Sequence, residues 1–257
     1  MCSDLKTIIE FFSGIGGFRI ASDEVGLRTL WANDIDPNAF LVYRSRFKKP
    51  HHEGDVHDFL QFIPAHDVLT GGFPCQPFSS AGKKQGIRDP RGTLFQVLAQ
   101  TIEKHRPPFF VLENVKRLLS MEKGCHFATI LSALAALGYR VEWRLLNAMN
   151  FGLAQNRQRV ILVGSRVYDS EDTSYLAPAA DFEKLNDSVL GQIHDREQWW
   201  KLEKHGENFA TWGCAVGDDF VSADLDHFSE AKPRATLENV LERDVPRQFD
   251  FTESMTI

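Results

Sequence analysis

The sequence has few cysteines, and none of them forms a metal-binding or disulfide-type pattern. Cys2, Cys75, Cys125 and Cys214 lie far apart, with no Cys-x-x-Cys pair. This spacing does not match a zinc site, and it is not the framework of a disulfide-stabilised secreted domain. We therefore expect reduced thiols, no bound metal and a cytoplasmic protein.

Long apolar stretches and internal repeats are also missing. No apolar run reaches the ~18–20 residues needed to span a membrane. The residues after Met1 lead directly into a strand-like run, so we expect no signal peptide. With 257 residues, 43% of them hydrophobic, the chain can form one large domain with a full core, or one domain plus an appendage.

The sequence has no overall excess of positive charge, since its formal net charge is -6. The two parts of the chain differ, however. Residues 1–164 contain 20 Lys and Arg against 15 Asp and Glu, whereas residues 165–257 contain 9 against 20. The first part can therefore face a polyanion, and the second part taken alone would repel one.

Strand-like and helix-like segments alternate over the first part of the chain. Apolar strand runs include 7–12, 109–112 and 160–163, and helical patterns include 94–105 and 127–137. This alternation predicts an α/β fold with a doubly wound, mostly parallel sheet, in which ligands bind at the carboxyl ends of the strands. After Gly164 the periodicity is lost. We therefore expect one domain over 1–164 and an irregular acidic extension over 165–257.

A glycine-rich turn, Ser13-Gly-Ile-Gly-Gly17, follows the first strand run. Glycines between a strand and a helix suit a ligand that lies against the backbone and the helix N-terminus. The turn is not the dinucleotide fingerprint, because Arg19 stands three positions after Gly16. Asp34 ends the second strand, where an acid typically holds ribose hydroxyls, and Asp55 follows a third candidate strand, where it could bond an adenine amino group. The pattern favours an adenosine-containing ligand without a pyrophosphate; a plain strand-to-helix turn is the alternative.

A cysteine follows the next strand run, in Gly72-Phe-Pro-Cys-Gln76. The glycine permits a sharp turn and the prolines fix the path of the loop, so Cys75 is a candidate nucleophile. The alternative is a small buried hydrophobic residue. The loop that follows is glycine-bearing and basic, and it could close over a phosphate backbone, unless it is an ordinary flexible polar loop. Its candidate DNA-contacting residues are Gln76, Ser79, Ser80, Lys83, Lys84, Arg88 and Arg91.

Two further groups of charged residues flank strand runs. Glu113 directly follows the run 109–112, where a buried carboxylate is costly unless it has a partner or a chemical role; a helix N-cap is the alternative. Gln155, Arg157 and Arg159 precede or begin the last strand run, and period-two spacing places them on one face. Two arginines on one face can bind a carboxylate, a phosphate or a base edge, or simply form a solvated strand end.

In this order and spacing, these segments resemble the cytosine-C5 DNA methyltransferase family. The resemblance covers residues 7 to about 164. It includes the glycine turn, Asp34, Asp55, Gly-Phe-Pro-Cys-Gln, Gly92-Thr-Leu-Phe95, Glu113-Asn-Val115 and Gln155-x-Arg-x-Arg159. It implies the methyltransferase variant of the Rossmann-like fold, with S-adenosyl-L-methionine as cofactor. The residues implied to bind it are Phe12, Gly14, Ile15, Gly16, Gly17, Asp34, Ile35, Asp55, Val56, Gly72, Pro74 and Leu94.

The resemblance also implies a mechanism. The target cytosine of double-stranded DNA would be flipped out of the helix, and the Cys75 thiolate would attack its C6 atom. Glu113 would hydrogen-bond N3, Arg159 would hold the O2 edge, and Arg157 would belong to the same catalytic set.

The sequence departs from the family pattern in three places. Asp34 stands where glutamate is more frequent, and Ile35 where an aromatic residue is common. More importantly, no segment resembles the family's target-recognition domain or its closing Gly-Asn-Ala/Ser-Val segment. We therefore expect the catalytic subunit of a split restriction-modification methyltransferase, with a second chain carrying the missing parts. Two alternatives are a truncated inactive remnant and a non-catalytic module that binds cofactor or nucleic acid. A transfer-RNA substrate is a further alternative of lower rank.

Overall fold

The structure is a computed structural model, and it describes residues 5–48, 51–74, 94–166 and 196–224. The chain divides into two compact units. The first comprises Met1–Leu145 and Arg159–Leu225, and the second comprises Leu146–Gln158 and Asp226–Ile257. Of the second unit, only 146–158 is described. None of the helices in these described ranges is long and apolar enough to cross a bilayer.

The described residues form one ten-stranded sheet with four α-helices. The strands are β1 Thr7–Phe11, β2 Arg28–Asp34, β3 His52–Glu53, β4 Val68–Gly72, β5 Phe109–Val115, β6 Tyr139–Asn147, β7 Gln158–Arg166, β8 Trp200–Lys201, β9 Trp212–Val216 and β10 Asp219–Ala223. The helices are α1 Gly17–Glu24, α2 Pro37–Arg46, α3 Leu94–His105 and α4 Cys125–Ala136. The strand order is β3-β2-β1-β4-β5-β7-β6-β9-β10-β8.

The first five strands of that order are parallel to their neighbours. The chain runs outward from β1 through β2 to β3, and then returns to place β4 on the other side of β1. The strand order therefore reverses between β1 and β4, which is the position where sheets of this kind bind ligands. The α/β fold predicted from the alternating pattern is confirmed.

The second half of the sheet is antiparallel where its pairings are defined. β7 runs antiparallel to β5, and β9 is antiparallel to both β6 and β10. The loss of periodicity after residue 164 predicts an irregular extension, yet the described part of this region adds three short strands to the same sheet. These strands have only two, five and five residues, which is too short for a clear alternating pattern in the sequence. The domain boundary at residue 164 stays a prediction.

Alternating burial along β5 positions the candidate site. Phe110, Leu112 and Asn114 are buried, whereas Glu113 lies on the opposite, partly open face. This alternation follows from the two-residue period of a strand. The buried face joins a single apolar core that includes Leu98 and neighbouring residues of α3, as well as α4. Packing of the buried face against the core therefore holds the Glu113 side chain on the opposite face of the sheet.

Candidate functional site

The backbone after β1 makes a compact turn with three left-handed residues. Phe12, Gly14 and Gly16 have φ values of 52°, 53° and 91°. A left-handed phenylalanine is uncommon and strained, and such positions cluster at functional sites. A Cβ atom added at Gly14 would meet no atom within 4 Å, so the backbone there borders open space. The turn can therefore accept a ligand directly against its backbone.

The Asp34 carboxylate holds this turn to the end of β2. Its Oδ2 accepts a hydrogen bond from the Gly14 amide at 2.7 Å, and its Oδ1 accepts one from the Asp36 amide at 2.9 Å. A carboxylate can accept about four hydrogen bonds, so both oxygens retain acceptor positions for ligand hydroxyls. Asp34 thus shapes the turn, in addition to any direct contact with a ligand.

Two large apolar side chains lie exposed beside the turn and Asp34. Ile15 is 63% exposed and Ile35 is 68% exposed, each adjacent in sequence to one of those residues. Exposed isoleucines offer an apolar surface that a flat ring can cover. Gly17, which begins α1, also has open space around its Cα.

Asp55 and Val56 follow β3 at the same end of the sheet. Asp55 caps the short 3-10 turn Val56–Asp58 and accepts hydrogen bonds from the backbone and ring of His57, at 3.0 and 2.6 Å. The His57 backbone N–H is the main cause that holds the pKa of Asp55 below its ordinary value. The Val56 side chain is buried in the core. Val56 could therefore contact a ligand only through its backbone.

Glu113 and Arg159 form an ion pair across two neighbouring strands. Val115 of β5 lies opposite Arg159 of β7, so Glu113, two residues earlier, is the diagonal neighbour of Arg159 on the same face. The Arg159 Nε and Glu113 Oε1 atoms are 2.6 Å apart, and each side chain is 25% exposed. The helix N-cap alternative for Glu113 is wrong, because Glu113 lies within β5.

Gly72 leaves room for this carboxylate. It pairs with Glu113 across β4 and β5, and a Cβ atom at Gly72 would lie 3.3 Å from Glu113 Oε2. Asn114, on the opposite face, donates from Nδ2 to the Phe73 carbonyl at 2.9 Å and so fixes the backbone just after β4. Pro74, the next residue after Phe73, is exposed. Leu94 begins α3 and packs against the core.

The candidate nucleophile and the basic loop lie outside the described residues. These residues are Cys75, Gln76, Ser79, Ser80, Lys83, Lys84, Arg88 and Arg91. Their predicted roles stay predictions.

The predicted common face of Gln155, Arg157 and Arg159 is wrong, because β7 begins only at Gln158. Residues 147–157 instead fold back on themselves. The Asn147 side chain accepts hydrogen bonds from the Met149 and Arg157 amides, at 3.3 and 3.0 Å. The Ala148 amide donates to the Arg157 carbonyl at 3.1 Å. This closed loop holds Arg157 outside the strand, and Gln155 and Arg157 are both exposed.

Sequence reasoning missed a buried polar group behind the glycine turn. Glu10 and Tyr43 are bonded to each other, and His51 is bonded to Ser13. Glu10 carried a signal, since it is a charged residue inside the apolar run 7–12. Tyr43 and His51 carried none, because their contacts join residues more than thirty positions apart.

Within the described ranges, no group of three or more His, Cys, Asp or Glu side chains is placed to hold a metal ion. The family model of C-5 cytosine-specific DNA methylases matches residues 6–215, which is most of the chain. The chain belongs to this family.

Relatives of this chain include bacterial proteins named type II methyltransferases. The type II methyltransferase M.NgoBI of Neisseria gonorrhoeae is 44% identical over 158 residues, which is 61% of this chain and 49% of the relative. M1.ScrFI of Lactococcus lactis subsp. cremoris is 45% identical over 160 residues, which is 61% of this chain and 41% of the relative. The chain thus spans half or less of the length of these relatives.

A solved structure also shares the fold. A DNMT2 mutant of Spodoptera frugiperda is 27% identical and superposes with a TM-score of 0.51, over 63% of this chain and 50% of the other. Its fold agrees with the methyltransferase variant of the α/β sheet that the sequence predicted.

Proposed function

We propose that this chain is the catalytic part of a type II restriction-modification methyltransferase that methylates C5 of cytosine in double-stranded DNA. The observation that carries the proposal is the Glu113–Arg159 pair, with 2.6 Å between Oε1 and Nε. Gly72 lies opposite Glu113 at the end of β4, and Cys75 follows Gly72 by three positions in the sequence. A carboxylate and a guanidinium at one strand end suit a pyrimidine base held by its edge, and the thiol of Cys75 is the proposed nucleophile.

The turn after β1 would hold S-adenosyl-L-methionine. The left-handed backbone at Gly14 borders open space, Asp34 keeps acceptor positions for ribose hydroxyls, and Ile35 offers an exposed apolar face for adenine. The proposed cofactor-binding set is completed by Phe12, Ile15, Gly16, Gly17, Asp55, Val56, Gly72, Pro74 and Leu94. When bound, this cofactor supplies a methyl group activated by a positively charged sulfur.

The side chains of the site would act on a flipped cytosine. The Cys75 thiolate forms a bond to C6, and Glu113 shares a proton with N3, which stabilises the negative charge that develops on the ring. Arg159 holds both Glu113 and the O2 edge of the base. After C5 has gained a methyl group, a base removes the C5 proton, the C6–sulfur bond breaks, and the electron pair returns to Cys75.

A methyl-transfer assay with a substitution at Glu113 tests the proposal. The reaction contains the chain, the product of the neighbouring reading frame, duplex DNA of random sequence and labelled S-adenosyl-L-methionine, and 5-methylcytosine is measured by mass spectrometry of nucleosides. Glu113→Gln keeps the shape of the side chain but removes the carboxyl group, which can carry a negative charge or a transferable proton. We therefore expect the rate to fall by ~100-fold or more. Equal rates for Glu113→Gln and the wild type, at equal thermal stability, would contradict the proposed role.

We further propose that a second polypeptide reads the DNA sequence. The curated relatives are about twice as long as the part that this chain matches, or longer. Residues 165–257 are strongly acidic, with 9 Lys and Arg against 20 Asp and Glu, and so disfavour direct contact with DNA phosphates. An acidic surface instead suits a basic protein partner.

The second proposal is tested by leaving each polypeptide in turn out of the same assay. We expect 5-methylcytosine at one defined sequence when both polypeptides are present, and a rate near background for either alone. Sequence-specific methylation by the 257-residue chain alone would overturn the need for a partner.

A further inference from the structure

A buried polar group supports the glycine turn from beneath; we call it the turn support, and it consists of Glu10, Ser13, Tyr43 and His51. The Tyr43 hydroxyl donates to Glu10 Oε2 at 3.0 Å. Tyr43 is fully buried, and Glu10 is only 1% exposed. A hydrogen bond between two such groups is costly to break, because neither can turn to water.

The support reaches the turn through His51. Its ring stacks on the Tyr43 ring, with 4.2 Å between centroids and 24° between planes. Its Nε2 lies 2.8 Å from Ser13 Oγ, which is within hydrogen-bond distance. Ser13 is itself part of the turn, since its amide donates to the Asn33 carbonyl at 3.0 Å and its carbonyl accepts from the Gly16 amide at 2.9 Å.

Tyr43, which lies in α2, and Phe47, the residue directly after α2, also pack against the turn. A Cβ atom at Gly16 would lie 2.4 Å from Phe47 Cε2 and 3.2 Å from Tyr43 Cδ2. Gly16 therefore fits closely over these two rings, with a left-handed φ of 91°. The turn is thus held at three places. Asp34 is hydrogen-bonded to Gly14, the Tyr43 and Phe47 rings pack against Gly16, and His51 contacts Ser13.

We propose that Tyr43 and His51 are positioning residues for the methyl donor, acting through Ser13 and Gly16 to keep the turn in its binding shape. The inference rests on the proposed function, in which this turn binds S-adenosyl-L-methionine. Neither side chain needs to touch the cofactor. Their loss should weaken cofactor affinity more than it weakens the fold as a whole.

The test compares two tyrosine-to-phenylalanine substitutions in the full chain. Tyr43→Phe keeps the ring under Gly16 and His51 but removes the bond to Glu10. Tyr139→Phe is the matched control, because Tyr139 is equally buried and its hydroxyl donates to the Pro107 carbonyl at 2.6 Å, in a part of the sheet that does not touch the turn. Equilibrium dialysis with labelled S-adenosyl-L-methionine gives the dissociation constant of each variant, and thermal denaturation gives its stability.

We expect Tyr43→Phe to weaken cofactor binding by about three- to tenfold, which corresponds to one hydrogen bond, and Tyr139→Phe to leave it unchanged at a similar loss of melting temperature. Ser13→Ala, which removes only the contact with His51, should weaken binding in the same direction and serves if Tyr43→Phe does not fold. Unchanged affinity in Tyr43→Phe or Ser13→Ala, beside a wild type that binds, overturns the inference alone. A wild type that does not bind the cofactor overturns the proposed function and this role with it.

Discussion

At the scale of single residues, Glu10 is an unusual feature of the first strand. Its side chain lies in the core behind the glycine turn, and burial raises its pKa to about 7. The hydrogen bond from Tyr43 and the nearby Arg19 act in the opposite direction, while the Asp34 carboxylate adds to the rise. Glu10 is therefore the group through which moderate changes of pH reach this part of the fold.

The stability of the protein should depend on pH through Glu10. Its pKa is about 7 in the folded state against 4.5 ordinarily, so its contribution is fully present below 4.5 and is lost as the pH rises through 7. The glutamine of a Glu10→Gln variant cannot ionise, so the variant does not lose stability in this way as the pH rises. Between pH 4.5 and 8, we expect the unfolding free energy of the variant to gain about 3 kcal/mol relative to the wild type.

Urea denaturation of both proteins across this pH range measures the effect. Burial lowers the pKa of His51 to about 4, which gives a slope of the opposite sign in acid, but this slope is common to both proteins and cancels in their difference. A constant difference between the two stability curves would contradict the prediction.

Gly72 makes a second prediction at this scale. A methyl group there would lie 3.3 Å from Glu113 Oε2, a tight contact that forces the carboxylate to shift. We expect Gly72→Ala to lower the rate of DNA methylation at least tenfold while changing the unfolding free energy by about 1 kcal/mol or less. Gly206→Ala is the control, because a Cβ atom there meets nothing within 4 Å. Similar methylation rates for both variants would exclude a tight steric role for Gly72.

At the scale of secondary-structure elements, aromatic rings cover glycines in the antiparallel half of the sheet. Phe110 of β5 lies opposite Gly164 of β7, and Trp143 of β6 lies opposite Gly213 of β9. In each case a Cβ atom on the glycine would lie 2.0 Å from a ring carbon. The two pairs hold neighbouring strands together in a way that no larger residue at the glycine positions could permit.

Gly164→Ala should therefore destabilise the fold by about 1–3 kcal/mol through overpacking. Because the clash is with one ring, the substitution Phe110→Leu should cost less in the Gly164→Ala background than in the wild type. Urea denaturation of the two single variants and the double variant gives this coupling. Strict additivity of the two effects would show that the Phe110 ring is not the source of the strain.

The elements that sequence could predict are those with an uninterrupted local pattern. Apolar runs in the sequence predict the positions of β1, β5 and β7, and helical spacing predicts α3. The family resemblance implied that Glu113 and Arg159 act on one cytosine, but their contact depends on the register of β5 against β7, which no local pattern encodes. The failure at Gln155 and Arg157 has the same origin, since the Asn147 side chain closes that loop from ten residues away.

At the scale of the whole molecule, the order of strands brings the candidate site together. The reversal between β1 and β4 places the glycine turn and the end of β4 side by side at the carboxyl edge of the parallel strands. β7 is antiparallel to β5, so its first residues return to that same edge and bring Arg159 to Glu113. Segments separated by more than a hundred residues thus converge at one place, and the central claim is that they act there on one cytosine.

Trapping of a covalent complex is the most direct test of this claim. Duplex DNA of random sequence with 5-fluorocytosine in one strand is incubated with S-adenosyl-L-methionine, the chain and the product of the neighbouring reading frame. Fluorine at C5 cannot leave as a proton does, so we predict a denaturation-resistant protein–DNA adduct whose mass spectrum places the bond at Cys75, and which Cys75→Ser abolishes. Absence of an adduct with the wild-type pair, or an adduct that persists in Cys75→Ser, would contradict the account.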